Sequence, residues 1–309
     1  KDKKLYNRTD PFFKGIKIID LTNVIAGPTI ASIMSRFGAE VLKIDPVKPT
    51  YDPLITILLG IPANRGKKSI LIDLKNPESD ELFSKLVKWA DVITINQVDI
   101  QLKDIKIDIN ALRRINPEIT IVQFDAFSGP SQKGKMSNYV GYDDVLQSAT
   151  GIMARFGGSI DTPEEHAHLG TIDVVSGFTG ASACALALYL KRKKGICSVA
   201  RSSLASNASL LQIPFFYDYP TREYFNEPKG RYIKGEHALY RWYKCKDKSI
   251  FIASLSTKKA IDSLSKLTIF QESVQSFLDI PNLAYNNEFA KYIQGIIINY
   301  DSDYIIKLF

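Results

Sequence analysis

Ile16-Lys17-Ile18-Ile19-Asp20-Leu21, then Thr22-Asn23-Val24-Ile25-Ala26-Gly27-Pro28, and after a short gap Ala39-Glu40-Val41-Leu42-Lys43-Ile44-Asp45, decide the fold. The first run is β-branched and bounded by Gly15 and by polar Thr22-Asn23, the pattern of a buried strand. Pro28 suits the first turn of a helix. The helix expected over Thr29–Phe37 closes at Gly38, a C-cap signal. The last run is a second strand. Strand, short helix, strand is a βαβ unit, which requires parallel strands and a right-handed crossover.

The pattern recurs along the chain. Ser69–Leu74 and Asp91–Asn96 are strands, separated by a helix that opens on Asn76-Pro77-Glu78 with a cap, a Pro and an acid in order. Leu82, Leu86 and Trp89 share one face of that helix. A short helix over Ile109–Ile115 and a strand over Ile119–Phe124 follow, then a helix near Asp143–Met153 and a strand and helix within Val199–Leu210. These elements predict a doubly wound α/β domain with a mostly parallel, Rossmann-like sheet. Ligands of such sheets bind at the carboxyl ends of the strands. From about Tyr217 the composition turns to Tyr, Lys and Pro, with strands at His237–Tyr243 and Ser249–Ala253 and helices near Lys258–Leu267 and Glu288–Ile298. The expected organisation is a large domain over 1–216 and a smaller α/β or α+β domain over 217–309, whose uncapped end suggests truncation of a longer chain.

Hydrophobic content of 45% and charged content of 24% in 309 residues are those of a soluble globular protein. No run of eighteen apolar residues predicts a membrane span, and Lys1–Tyr6 lacks the core of a signal peptide. Cys184, Cys197 and Cys245 form neither a disulfide framework nor a zinc pattern, so a cytoplasmic location is expected. The net charge of +7 is dispersed among 33 acidic residues. Arg65-Gly66-Lys67-Lys68 is short, Lys191–Lys194 suits a helix C-terminus, and no nucleic-acid motif accompanies them. A small polyphosphate ligand accounts for the charge; nucleic acid and membrane are not expected partners.

The first strand-to-helix loop has one glycine, and Pro28 removes an amide, so it is not a dinucleotide phosphate loop; there is no Walker A sequence either. His166 and His168 lie on a loop without ligand spacing, and no metal or redox cofactor is expected. Ser176-Gly177 lacks the glycine of a hydrolase elbow. Cys184 and Cys197 sit in apolar surroundings that suit packing. Asp173 stands where a loop ends and an apolar helix, Val174 to Lys191, begins. In that position it is expected to cap the helix, with the dipole keeping the carboxylate ionised at neutral pH.

Several segments in order carry a resemblance: Gly15–Pro28, Phe37–Asp45, Asn64–Lys75, Ala90–Asn96, Ile115-Asn116-Pro117, Gly141-Tyr142-Asp143 and Gly170-Thr171-Ile172-Asp173. Over residues 13–210 the chain resembles class III CoA-transferases, the CaiB/BaiF family that includes formyl-CoA transferase and carnitine CoA-transferase. The resemblance implies transfer of CoA from an acyl-CoA to a carboxylic acid through an aspartyl mixed anhydride and an aspartyl-CoA thioester. Carboxylate catalysis of this kind needs neither metal nor redox cofactor. It implies Asp173 as nucleophile, Ile25 and Ala26 facing the thioester, and Ile72, Lys75 and Asn96 contacting coenzyme A. Lys67 and Lys68 become further candidate contacts, and an interlocked homodimer is implied as well.

Departures bear on the substrates. Ile25 replaces the Gln that formyl-CoA transferase sets beside the thioester, so oxyanion stabilisation falls to backbone amides or another side chain. Asp104 lies where an Arg often contacts phosphate, with Lys103 adjacent. Lys234–Arg241 replaces the glycine-rich lid; it is either a lid with His237, Tyr240 and Arg241 as substrate contacts, the last two able to meet a carboxylate, or a plain hairpin. Racemases of the same family have His before the conserved Asp, whereas this chain has Tyr142, another candidate substrate contact. A phenol is a poor base for α-proton abstraction, which favours transfer. The alternatives are an acyl-CoA racemase or isomerase on the same fold and a catalytically silent CoA-binding subunit.

Overall fold

The computed structural model describes residues 11–49, 53–128, 134–157, 164, 166, 170–216, 220, 233–254, 257–270, 274–277, 280 and 283–308. Contacts divide the chain into two compact units, Lys1–Met153 with Pro163–Tyr219, and Ala154–Thr162 with Pro220–Phe309.

In the first unit the chain runs β1 (Lys17–Asp20), α1 (Ala26–Arg36), β2 (Glu40–Asp45), α2 (Pro53–Ala63), β3 (Lys68–Leu71), α3 (Asp80–Trp89), β4 (Val92–Ile95), α4 (Asp99–Asp104), α5 (Ile109–Ile115), β5 (Thr120–Asp125), α6 (Asp143–Ala149), α7 (Thr171–Lys194), β6 (Val199–Ser203), α8 (Leu204–Leu211) and α9 (Ile213–Phe216). The six strands form one sheet in the order β3-β2-β1-β4-β5-β6, every pair parallel. This is the doubly wound arrangement expected. Its winding reverses between β1 and β4, which makes the carboxyl ends of those strands the natural ligand crevice. All six residues of β5 are buried, as a central parallel strand requires.

Two differences from the sequence reading have simple causes. Helix α1 begins at Ala26, ahead of Pro28, because the proline occupies an interior position of the first turn, where its missing N–H costs nothing. Helix α2 was not signalled at all, since Pro53, Gly60 and Pro62 read as breakers, and Pro62 is tolerated in its last turn.

Helix α7 is the scaffold of the site. Ideal Cβ atoms placed on Gly177 and Gly180 would lie 2.4 Å from Thr29 Cγ2 and 2.4 Å from Ile30 Cδ1, so only glycines let α1 and α7 approach this closely. Among the described residues α7 alone has the length and mean hydropathy (1.4) to cross a bilayer. Its residues Ile172, Asp173, Ser176, Gly177, Cys184 and Ala187 are buried in the unit.

The second unit contains β7 (Gly235–His237), β8 (Tyr240–Lys244), β9 (Ser249–Ala253), α10 (Thr257–Leu264), α11 (Asn287–Ile297) and α12 (Ser302–Leu308). The single strand expected over His237–Tyr243 is broken at Ala238-Leu239, both buried, and becomes an antiparallel β7–β8 hairpin. Tyr243, Phe270, Phe289, Ile293, Ile297 and Ile305 form its core.

Candidate active site

The carboxyl ends of the strands open onto a cavity of about 950 Å³. Leu21, Asn23, Val24 and Ala26 reach it from the β1–α1 loop, Ile44–Lys48 from β2, Ile72–Lys75 from β3, Asn96–Val98 from β4 and Phe124–Ala126 from β5; Gly141, Tyr142 and Asp173 complete one wall.

Asp173 is the third residue of α7, not its cap. The helix is entered through Gly170, with φ +110°, which has no side chain to cap it. Such a φ disfavours any residue with a Cβ. A Cβ at Gly170 would stand a tight 3.2 Å from Asp173 Cβ, with Ile25 Cδ1 at 3.6 Å and Asp143 Oδ2 at 3.9 Å in ordinary contact, so three side chains converge around this glycine. The cap is supplied from elsewhere: the Asp173 N–H donates to Asp143 Oδ2 at 2.8 Å. Gln147 Nε2 donates to the other oxygen of Asp143 and His166 N–H donates to Gln147 Oε1.

The expectation that the helix terminus keeps Asp173 ionised is overturned. Burial, then the carboxylates of Asp143 and Asp144, push its pKa up to about 7. Desolvation and like charge both disfavour the anion, and here they outweigh the helix dipole. The result is a carboxyl group with a pKa near 7, against a cavity, on a residue whose backbone N–H is held by a second acid. A carboxylate stripped of water in this way is a stronger nucleophile than an exposed one.

Of the residues singled out in the sequence, Ala26, Ile72, Lys75, Asn96, Tyr142 and Asp173 line the cavity, and Ile25 points to the same corner as Asp173. Asn96 acts on the loop itself, accepting the Asn23 N–H at 3.0 Å and donating to Asn23 O at 2.9 Å. Three lysines do not fit the role of ligand contact. Lys67 directs its ammonium inward to Asp20 Oδ2 (2.6 Å), Pro28 O (2.7 Å) and Asn64 Oδ1 (2.9 Å), which uses all three donors. Lys68 is exposed and pairs with Glu40 at 3.0 Å. Lys103 is exposed on α4, whose Gln101 and Asp104 are the residues turned to the cavity.

In the second unit His237, Tyr240 and Arg241 do not form a joint carboxylate clamp. Neighbouring strand residues point to opposite faces. Tyr240 packs edge-on against Phe251 at 5.1 Å, while the Arg241 guanidinium lies 5.4 Å over Tyr243. His237 stacks edge-on with Tyr285 at 5.2 Å.

The sequence reading missed Lys48 and Asp143 as site residues. Lys48 lines the cavity three residues beyond β2, and its position just past a strand's carboxyl end was the available signal. Asp143 was legible as part of a motif, but its link to Asp173 spans 30 residues and left no local trace. Val24 also escaped notice. It lies at the cavity with φ +70°, a strained conformation for a β-branched residue, of order 1–3 kcal/mol.

A parallel 3-2-1-4-5-6 sheet whose crevice is lined by a buried carboxyl, its pKa raised to about 7, and by Lys48 and Lys75 defines a doubly wound α/β protein with a cavity at the carboxyl ends of its strands. The model of CoA-transferase family III matches residues 13–309, and the chain belongs to that family. It is 46% identical over 261 residues to the CoA-transferase/lyase DddD of Marinomonas sp. (strain MWYL1), covering 84% of this chain and 31% of that protein. It is 30% identical over 203 residues to the succinate–glutarate CoA-transferase of Agrobacterium fabrum, covering 61% of this chain and 50% of that protein. The chain thus spans a third to a half of the length of these relatives. A CaiB/BaiF family protein of Brucella suis, 20% identical, shares the fold with a TM-score of 0.73 over 97% of this chain and 82% of that one.

Proposed function

We propose that this chain carries the catalytic carboxylate of a CoA-transferase, with Asp173 as the nucleophile. An Asp173 oxygen attacks the thioester carbonyl of an acyl-CoA; the C–S bond breaks, CoA leaves as thiolate, and a mixed anhydride forms. The thiolate attacks the Asp173 carbonyl carbon of that anhydride, releasing the donor acid and leaving an aspartyl-CoA thioester. An acceptor carboxylate then reverses the two steps and departs as the new acyl-CoA. No proton is consumed overall. The observation that carries this reading is the buried Asp173 at the cavity wall, held by Asp143 and titrating near neutrality.

Coenzyme A enters this scheme as substrate. Lys48 and Lys75 offer cations to its phosphates, Ile72 offers an apolar surface to its base, and Asn96 and Ala26 border the route to Asp173. Tyr142 at the same wall favours transfer over α-proton exchange, since a phenol is a poor general base. A homodimer belongs to the proposal. The exposed apolar residues Phe178, Leu186 and Tyr189 of α7 support it, and light scattering of the purified protein checks it.

The decisive test is mass spectrometry after incubation with an acyl-CoA. A CoA or hydroxylamine adduct on the Asp173 peptide supports transfer. Bound CoA over an unmodified peptide indicates a silent binding subunit, and deuterium uptake at the acyl α-carbon without an acceptor indicates a racemase.

A further inference from the structure

The β1–α1 loop borders the cavity and brings Ile25 to the corner where Asp173 stands, yet it lacks the glycines that usually shape such a loop. What shapes it is a set of side chains beneath it. Leu21 O accepts from Gln97 Nε2 at 2.6 Å and Thr22 O from Lys43 Nζ at 2.6 Å. Asn23 O accepts from Asn96 Nδ2 at 2.9 Å and Pro28 O from Lys67 Nζ at 2.7 Å. The donors come from β2, β3's approach and β4's end, so three carbonyls of the loop and one in the first turn of α1 are tied down by three neighbouring segments.

Two of these donors are buried ammonium groups, with side-chain exposures of 5% for Lys43 and 1% for Lys67. Each is neutralised below the loop, Lys43 by Asp45 at 2.7 Å and Lys67 by Asp20 at 2.6 Å. Asp20 in turn accepts the Thr22 N–H at 3.0 Å and Thr94 Oγ1 at 2.9 Å. A buried ion pair is a poor way to gain stability, because desolvation offsets most of the attraction. Its presence under this loop calls for another reason.

We infer that Lys67, supported by Asp20, is a positioning residue: it holds the first turn of α1 through Pro28 O while Gln97, Lys43 and Asn96 hold the loop carbonyls of Leu21, Thr22 and Asn23, and together they keep Val24 in its left-handed conformation. Carbonyl oxygens released toward the cavity would repel the oxyanion that forms when a thioester is attacked. Tied down, they leave the first-turn amides of α1, which no side chain caps, as the loop's contribution to that charge. In a chain with Ile25 where an amide side chain would serve, this is the route by which the loop assists. The inference rests on the CoA-transferase reading for its purpose, while the pinning itself does not depend on it.

The test compares the wild-type chain with Lys67→Met, Gln97→Leu and Lys67→Met/Val24→Gly, by hydrogen exchange and by kcat and KM for an acyl-CoA. In Lys67→Met the amides of Asn23 and Thr29 should exchange roughly 30-fold faster while those of Ile93 and Val122 keep their protection. The same variant should lose about 100-fold in kcat with little change in KM, as expected of a misplaced catalytic loop. Adding Val24→Gly, which removes the strain the pins oppose, should restore part of the lost kcat. Gln97→Leu should repeat the loop-specific exchange to a smaller degree, and it decides the question if Lys67→Met does not fold. Equal loss of protection in strands and loop would make Lys67 a core charge only and overturn the inference, as would an unchanged loop. If the wild type moves no CoA at all, the proposed function falls, and the exchange pattern still decides this point.

Discussion

Asp20, at the end of β1, and Asp173, in the first turn of α7, are both buried carboxylates beside the same loop, with exposures of 0% and 6%. Burial pushes the pKa of both upward, but their neighbours differ. The ammoniums of Lys67 and Lys43, with hydrogen bonds from Lys67 and Thr22, overcome burial at Asp20 and hold it below the usual carboxylate range. Around Asp173 the neighbours are Asp143 and Asp144, which add to the effect of burial. Depth alone therefore says little about the charge of an acid. One carboxylate is committed to its cations and serves architecture; the other pairs with no cation among the described residues and faces the cavity.

The comparison breaks first at Asp173→Ala, which should lower transfer by about 10⁴-fold or more while leaving the fold intact. Activity within tenfold of wild type would remove Asp173 from the mechanism. Next comes Asp20→Asn, which strands the Lys67 ammonium; urea denaturation should show a loss of about 3–5 kcal/mol. The double variant Asp20→Asn/Lys67→Met should lose less than Asp20→Asn alone, and a greater loss would mean the pair is not a mutual neutraliser.

The pH dependence sharpens the contrast further. Asp173 has its folded pKa raised from 3.8 to about 7, so the folded state keeps a proton that the unfolded chain gives up. Its contribution to stability is complete below about pH 4 and is lost as pH rises through 7. Asp173→Asn should accordingly melt higher than wild type at pH 8, by on the order of 3 kcal/mol, and match it at pH 4. Asp20 runs the other way, contributing above the ordinary carboxylate pKa and losing that contribution as pH falls. If Asp173 attacks as the proposal has it, it must be ionised, so kcat/KM should rise through pH 7 in wild type, and Asp143→Asn should move that rise to lower pH. A rise that stays in place would assign the perturbation to burial and Asp144 without Asp143.

The smallest effects concern the lysines. Lys75→Ala and Lys48→Ala should each weaken CoA binding about tenfold in calorimetry, less at high salt. Lys68→Ala and Lys103→Ala should change it by less than about twofold, as exposed charges away from the ligand do.

The sheet was legible because its strands are short β-branched runs separated by cap and glycine signals, a pattern written locally. Asp173 was singled out as the proposed nucleophile only through resemblance, and the expectation of an ordinary ionised carboxylate missed its raised pKa. The reason is physical: the helix start depends on Gly170 adopting a positive φ, and the raised pKa depends on Asp143, brought in from 30 residues away. Lys67 and Lys68 are adjacent and chemically alike, yet one meets Asp20 across 47 residues and the other meets solvent. Nothing in the dipeptide distinguishes them; the direction each takes is set by β3 pairing with β2.

The close contact of α1 with α7 at Gly177 and Gly180 makes the two helices a single lever arm. At one end of that arm lie Ala26 and Asp173, both on the wall of the cavity. A methyl group added at Gly180, two turns from Asp173, would meet Ile30 Cδ1 at 2.4 Å and wedge the arm apart, so the spacing of Ala26 and Asp173 at the cavity is set by residues that do not line it.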